Sequence, residues 1–149
     1  MSEHTVTVAW KRETAEFTFE TYNRDHDWIF DGGVSVRASA PPGYRGNARC
    51  VDPEEVFVAS LSSCQMLTFL ALAAKERYVV DSYRDQAVGV LGKDPSGNWA
   101  MTKVTLRPEV RFGGERTPST EELRQLQERA HYGCFIANSV KTEVVVEPQ

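Results

Sequence analysis

Three observations predict an α+β domain. Segments with period-two alternation read as strands, a long uncharged run is bounded by helix-capping residues, and a second, amphipathic helical pattern lies near the C-terminus. The chain has 149 residues, enough for one domain spanning 1–149 with a real core. No fixed-period repeat, low-complexity tract or dividing linker interrupts it.

Thr5 to Trp10 alternates Val6, Val8 and Trp10 with smaller residues, a half-buried strand. Ala15 to Thr21 repeats the pattern with Phe17 and Phe19, so the two are expected to pair as a hairpin across Lys11 to Thr14. Trp28-Ile29-Phe30 and Val34 to Ser39 flank the turn signal Asp31-Gly32-Gly33, which suggests either another hairpin or a bulged continuous strand. Pro41 to Asn47 reads as a loop.

The central element begins at Asp52, an N-cap, with Pro53 in the first turn and Glu55 at capping-box spacing. From Val56 to Ala74 nineteen residues carry no charge, and Lys75 and Arg77 then supply the sign favoured at a helix C-terminus. A helix apolar on most sides must be covered on most sides, which points to a dimer. The run is long enough for a bilayer, but Ser60, Ser62, Ser63, Gln65 and Thr68 interrupt its middle and no aromatic belt flanks it. The expectation is therefore a core helix and no membrane partner.

Tyr78 to Leu91 and Trp99 to Phe112 are expected as two long strands joined by Lys93 to Asn98, with Pro108 marking an edge or bulge. Ser119 and Glu122 form a second capping box, and Leu123, Leu126 and Ala130 mark the inner stripe of a helix running to His131. Gly133 ends it. Val140 to Glu147 closes the chain as a strand.

The net charge is −4, and no cluster of Lys or Arg is present, which argues against a nucleic-acid partner. Met1-Ser2-Glu3-His4 has neither a basic n-region nor an apolar h-region, so a cytoplasmic location is expected. Three cysteines, Cys50, Cys64 and Cys134, are too few and too irregular for a secreted disulfide framework. Cys64 lies mid-helix in Ser62-Ser63-Cys64-Gln65, and Cys134 follows the second helix. They can be small core hydrophobes, or a reactive pair if the fold joins them and a cation favours the thiolate. His131 and Cys134 with Cys64 lack an evident fourth ligand, so no metal is expected. Cys50 reads as a loop thiol, and His4 and His26 as surface residues.

The run Asp52-Pro53-Glu54-Glu55-Val56-Phe57-Val58-Ala59-Ser60-Leu61-Ser62-Ser63-Cys64 resembles the central-helix motif of the OsmC/Ohr family, the osmotically induced and organic-hydroperoxide-resistance proteins. Ala130 to Val140 is similar to that family's second-cysteine segment. Phe135-Ile136-Ala137 stands where the well-known peroxidase branches have Pro-Tyr-Ser, which points to an OsmC-like branch. The resemblance implies an OsmC-like fold: an intertwined homodimer whose long central helices are covered by antiparallel sheets.

It also implies a thiol peroxidase. Cys64 matches the peroxidatic cysteine, Cys134 the resolving one, and Glu54 the acidic partner of a catalytic arginine. Arg24 aligns best for that arginine, with Arg12, Arg37, Arg45 and Arg49 as alternatives. A hydroperoxide would oxidise Cys64 to sulfenic acid, and Cys134 would condense with it to a disulfide. An external dithiol or lipoyl-type reductant, rather than a bound cofactor, would restore it. Phe57, Leu61, Leu67 and Phe135 would offer apolar walls that favour organic substrates over hydrogen peroxide. Glu54 and Cys64 are ten residues apart on one helix, about 15 Å, so a shared arginine would need Glu54 from one protomer and Cys64 from the other. The rival reading is a non-catalytic dimer that binds a small apolar ligand at its interface.

Overall fold

Helix α1, Pro53–Lys75, begins where the capping residues ask for it. Asp52 Oδ1 accepts the Glu55 N–H at 2.8 Å and Glu55 Oε2 accepts the Asp52 N–H at 3.1 Å, a reciprocal capping box. At its other end Tyr78 N–H bonds Ala73 O at 2.9 Å and Arg77 N–H bonds Ala74 O at 3.1 Å, a Schellman closure that holds Arg77 at φ 61°. The computed structural model describes all residues, 1–149, in two units, Met1–Val56 and Phe57–Gln149.

The first unit is a three-stranded antiparallel sheet, β1 (Val6–Ala9), β2 (His26–Phe30) and β3 (Ser35–Ala38), in that spatial order. Of the two alternatives at Asp31-Gly32-Gly33 the hairpin forms, with Gly33 at φ 82° and Phe30 N–H bonded to Val34 O at 2.9 Å. The expected strand at Ala15 to Thr21 does not form, and β1 pairs instead with β2, Val6 opposite Phe30 and Ala9 opposite Asp27. Local bonds outcompete a ladder there. Asn23 caps the loop by accepting Glu13 N–H and donating to Lys11 O, both at 2.9 Å, and Tyr22 N–H turns back to Thr18 O at 3.0 Å. Phe17 and Phe19 therefore belong to a folded loop; Phe17 stacks edge-on to Trp10 at 5.8 Å. Pro42–Tyr44 is a 3-10 turn within the expected loop.

The second unit carries the packing. Both long strands predicted after α1 are broken in two: β4 (Val79–Asp85) and β5 (Val88–Lys93), then β6 (Trp99–Leu106) and β7 (Pro108–Gly113). β4 pairs with β7 and β5 with β6, all antiparallel, so one hairpin bends into two sheets. The cause is local. Pro108 has no N–H to continue a ladder, and the Asp85 carboxylate takes the Arg107 N–H at 2.6 Å and the Ser62 hydroxyl at 2.5 Å. Helix α2, Thr120–Gly133, starts with the expected Ser119–Glu122 capping box. β8 (Glu143–Val146) is shorter than expected and pairs parallel with β6.

Two apolar clusters form on α1. Leu61 packs with Val104, Leu106, Val140, Val144 and Val146. Phe69 and Ala73 pack with Tyr78, Leu126 and Ala130.

Candidate functional site

Cys64 and Cys134 meet between these two clusters. Cys64 is half-buried on α1 and Cys134 is buried as the C-cap of α2, where the chain leaves the helix at φ −75°, ψ 111°. Burial pushes the Cys134 thiol up to about 11, with hydrogen bonding to the adjacent Cys64 thiol the next cause. The backbone N–H groups of Ala137 and Ile136 oppose this; Ala137 N–H lies 3.4 Å from Cys134 Sγ. Cys134 therefore ionises less readily than an ordinary thiol, which makes it a poor first nucleophile of the pair.

The approach of the two segments is fixed by residues outside the motif. Gln65, beside Cys64, is only 1% exposed, and its Nε2 donates to Gln127 O at 3.0 Å and Gln127 Oε1 at 3.1 Å. That pair locks α2 onto α1 with a buried polar contact, which specifies register as apolar packing alone would not. Gly133 completes the fit: a Cβ there would stand 3.0 Å from Thr68 Cγ2, while Thr68 Oγ1 bonds back to Cys64 O at 2.9 Å. Gly133 is thus explained by close approach. Past Cys134 a 3-10 turn, Ala137–Ser139, is tied by Asn138 N–H to Cys134 O at 3.1 Å and by Ser139 Oγ to Phe135 O at 2.7 Å.

Gln127 and Asp85 were not singled out from the sequence. Gln65 carries a readable signal, since a buried amide in an uncharged helix must find a partner. Asp85 offers none, for an acidic residue at a strand end is usually a solvated charge.

The expected apolar walls divide. Leu61 is fully buried and fills the core with Val104 and Leu106. Phe57 packs on the same cluster and also lines a cavity between the β5–β6 turn and residues 140–142. Phe135 is 82% exposed, Leu67 60% and Tyr132 77%, so apolar surface lies in the segments that carry both thiols.

Glu54 and Arg24 both lie in the first unit. Glu54 Oε2 is buried without a hydrogen-bond partner, a costly state for a carboxylate that a cation would relieve. No ion pair joins Arg24 to Glu54. The Arg24 guanidinium donates to Phe19 O at 2.5 Å and to Tyr22 O, and lies 3.7 Å from the centre of the Tyr22 ring. Of the alternatives, Arg37 is held by Asp27 and Glu13 on the surface, Arg12 donates to Ala15 O, and Arg45 stands over Phe19 at 5.8 Å. Trp10, Phe17, Tyr22, Arg24 and His26 line a cavity of about 560 Å³. Burial, foremost, raises the pKa of Cys50.

A sequence model of the OsmC family, described as OsmC-like protein, matches residues 46–149. The chain is similar over its whole length to an OsmC-like protein of unknown function from Vibrio cholerae, at 52% identity, 100% coverage of both chains and a TM-score of 0.97. The fold alone is shared with an OsmC-like protein from Mycoplasma pneumoniae, at 14% identity, coverage of 99% and 96%, and a TM-score of 0.77. It is likewise shared with the organic hydroperoxide resistance protein OhrB of Bacillus subtilis, at 19% identity, 99% and 98% coverage, and a TM-score of 0.71. No curated protein matches.

Proposed function

We propose, for a chain that belongs to the OsmC-like family, that it is a cysteine-based thiol peroxidase acting on organic hydroperoxides and less well on hydrogen peroxide. The observation that carries this reading is the adjacency of the two free cysteines, Cys64 on α1 and Cys134 at the end of α2, within hydrogen-bonding reach of each other. The Cys64 thiolate attacks the distal oxygen of the hydroperoxide, an S–O bond forms to that hydroxyl as the O–O bond breaks, and the departing alkoxide takes a proton from solvent to leave as alcohol. Cys64 is then a sulfenic acid. The Cys134 sulfur displaces its hydroxyl as water, forming a Cys64–Cys134 disulfide. An external dithiol returns both to thiols and is itself oxidised.

Apolar surface at Tyr132 and Phe135 favours organic substrates. Glu54 and Arg24 take the parts of acid and thiolate-stabilising cation, and the unpartnered Glu54 Oε2 supports a cation reaching it. The working form is a homodimer, in which Glu54 of one protomer serves Cys64 of the other.

The test is consumption of cumene hydroperoxide with a small dithiol as reductant. Wild type turns over, Cys64→Ser does not, and Cys134→Ser completes one oxidation and accumulates sulfenic Cys64. Undiminished turnover in Cys64→Ser would remove Cys64 from the chemistry.

A further inference from the structure

A cavity in the Phe57–Gln149 unit is lined by neither Cys64 nor Cys134. It measures about 680 Å³, within the range of small-molecule sites. Its apolar floor is made by Phe57, Ala100, Met101 and Val140, and Lys93 and Lys141 stand at its rim.

Charge and donor accounting narrows what it can take. Neither lysine enters an ion pair: the eight salt bridges of the chain use Lys103 and five arginines. Lys93 Nζ lies 4.4 Å from the centre of the Trp99 ring, which leaves its charge unneutralised. One acidic residue, Asp94, lines the cavity, and its Oδ1 is engaged by the Ser96 and Asn98 N–H groups at 2.9 Å each. Two lysines against one aspartate leave one positive charge. Two of the hydroxyls have already spent their protons, Thr102 on Val90 O and Thr142 on Met101 O. Donors to a ligand thus come chiefly from the two ammonium groups, while the floor offers only carbon and sulfur side chains.

We infer that this cavity binds an amphipathic monocarboxylate, its apolar body on Phe57 and Met101 and its carboxylate between Lys93 and Lys141. The inference goes beyond the peroxidase reading and does not depend on it, although Phe57 is shared between them. Two ammonium groups on a low-dielectric floor favour a monoanion with an apolar tail over a neutral alcohol of the same length.

The experiment is isothermal titration of the intact protein with sodium octanoate and, separately, with 1-octanol, together with intrinsic tryptophan fluorescence, since Lys93 rests on Trp99. Octanoate should bind saturably and perturb the fluorescence, octanol should bind at least about tenfold more weakly, and Lys93→Gln/Lys141→Gln should lose at least about tenfold in octanoate affinity. The double variant should keep its far-UV circular dichroism. No saturable octanoate binding, octanol binding as tight as octanoate, or unchanged affinity in the double variant would each overturn the assignment. Hydroperoxide-driven disulfide formation, measured without octanoate, reports on the thiol pair alone, so failure of one reading is distinguishable from failure of the other.

Discussion

Two faces of helix α1, half a turn apart, differ in what covers them more than in what they are made of. Leu61, Gln65, Phe69 and Ala73 form a stripe at four-residue spacing that is buried by the chain's own strands and by α2. Ala59, Ser63, Leu67 and Ala71 form an equally regular stripe that is exposed, Leu67 by 60%. The uncovered stripe has no charge, and the buried one holds the most polar residue of the run, Gln65. Polarity therefore does not tell the two faces apart. Apolar surface of this extent is left exposed by one chain only if something else covers it, and a second copy of α1 is the proposed cover.

The largest effect should come from the buried stripe. Phe69→Ala removes a fully buried ring from a cluster with Ala73, Tyr78, Leu126 and Ala130 and should cost about 3–5 kcal/mol in denaturant unfolding. A loss under about 1 kcal/mol would mean that the stripe is not a core. On the opposite face Leu67→Asp should convert dimer to monomer in sedimentation equilibrium, because a charge would be desolvated against the partner helix. A dimer of unchanged stability would show that this face meets something other than its copy.

A smaller, pH-limited effect belongs to the thiol between the clusters. The Cys134 pKa is raised from 9.0 to about 11, so the folded state holds that proton more tightly than the unfolded chain. The stability it contributes is fully present below about pH 9 and is lost as pH rises through about 11. Urea midpoints of wild type should fall over that window more steeply than those of Cys134→Ala; parallel curves would contradict the burial of this thiol.

Much of the fold was legible because capping residues and periodicity act locally. Asp52 with Glu55 and Ser119 with Glu122 fix both helix starts, and Asp31-Gly32-Gly33 fixes the β2–β3 turn. Ala15 to Thr21 was misread because alternation of Phe17 and Phe19 says nothing of Asn23, which caps the loop from a distance in sequence. Pro108 signalled a break in the second long strand, whereas the contacts of Asp85 with Ser62 and Arg107 that complete the bend are tertiary and have no local signal. In the site, Cys64 and Cys134 were visible as a pair only through family resemblance, since seventy residues separate them. The Gln65–Gln127 bond that sets α2 on α1 joins two residues whose partnership no spacing rule announces.

The most direct test is to treat the reduced protein with one equivalent of cumene hydroperoxide and map its thiols by mass spectrometry. The account predicts a rapid Cys64–Cys134 disulfide with Cys50 unmodified. Folded protein in which Cys64 and Cys134 both remain free thiols would contradict it, and would leave the pair as a structural feature of a ligand-binding OsmC-like protein.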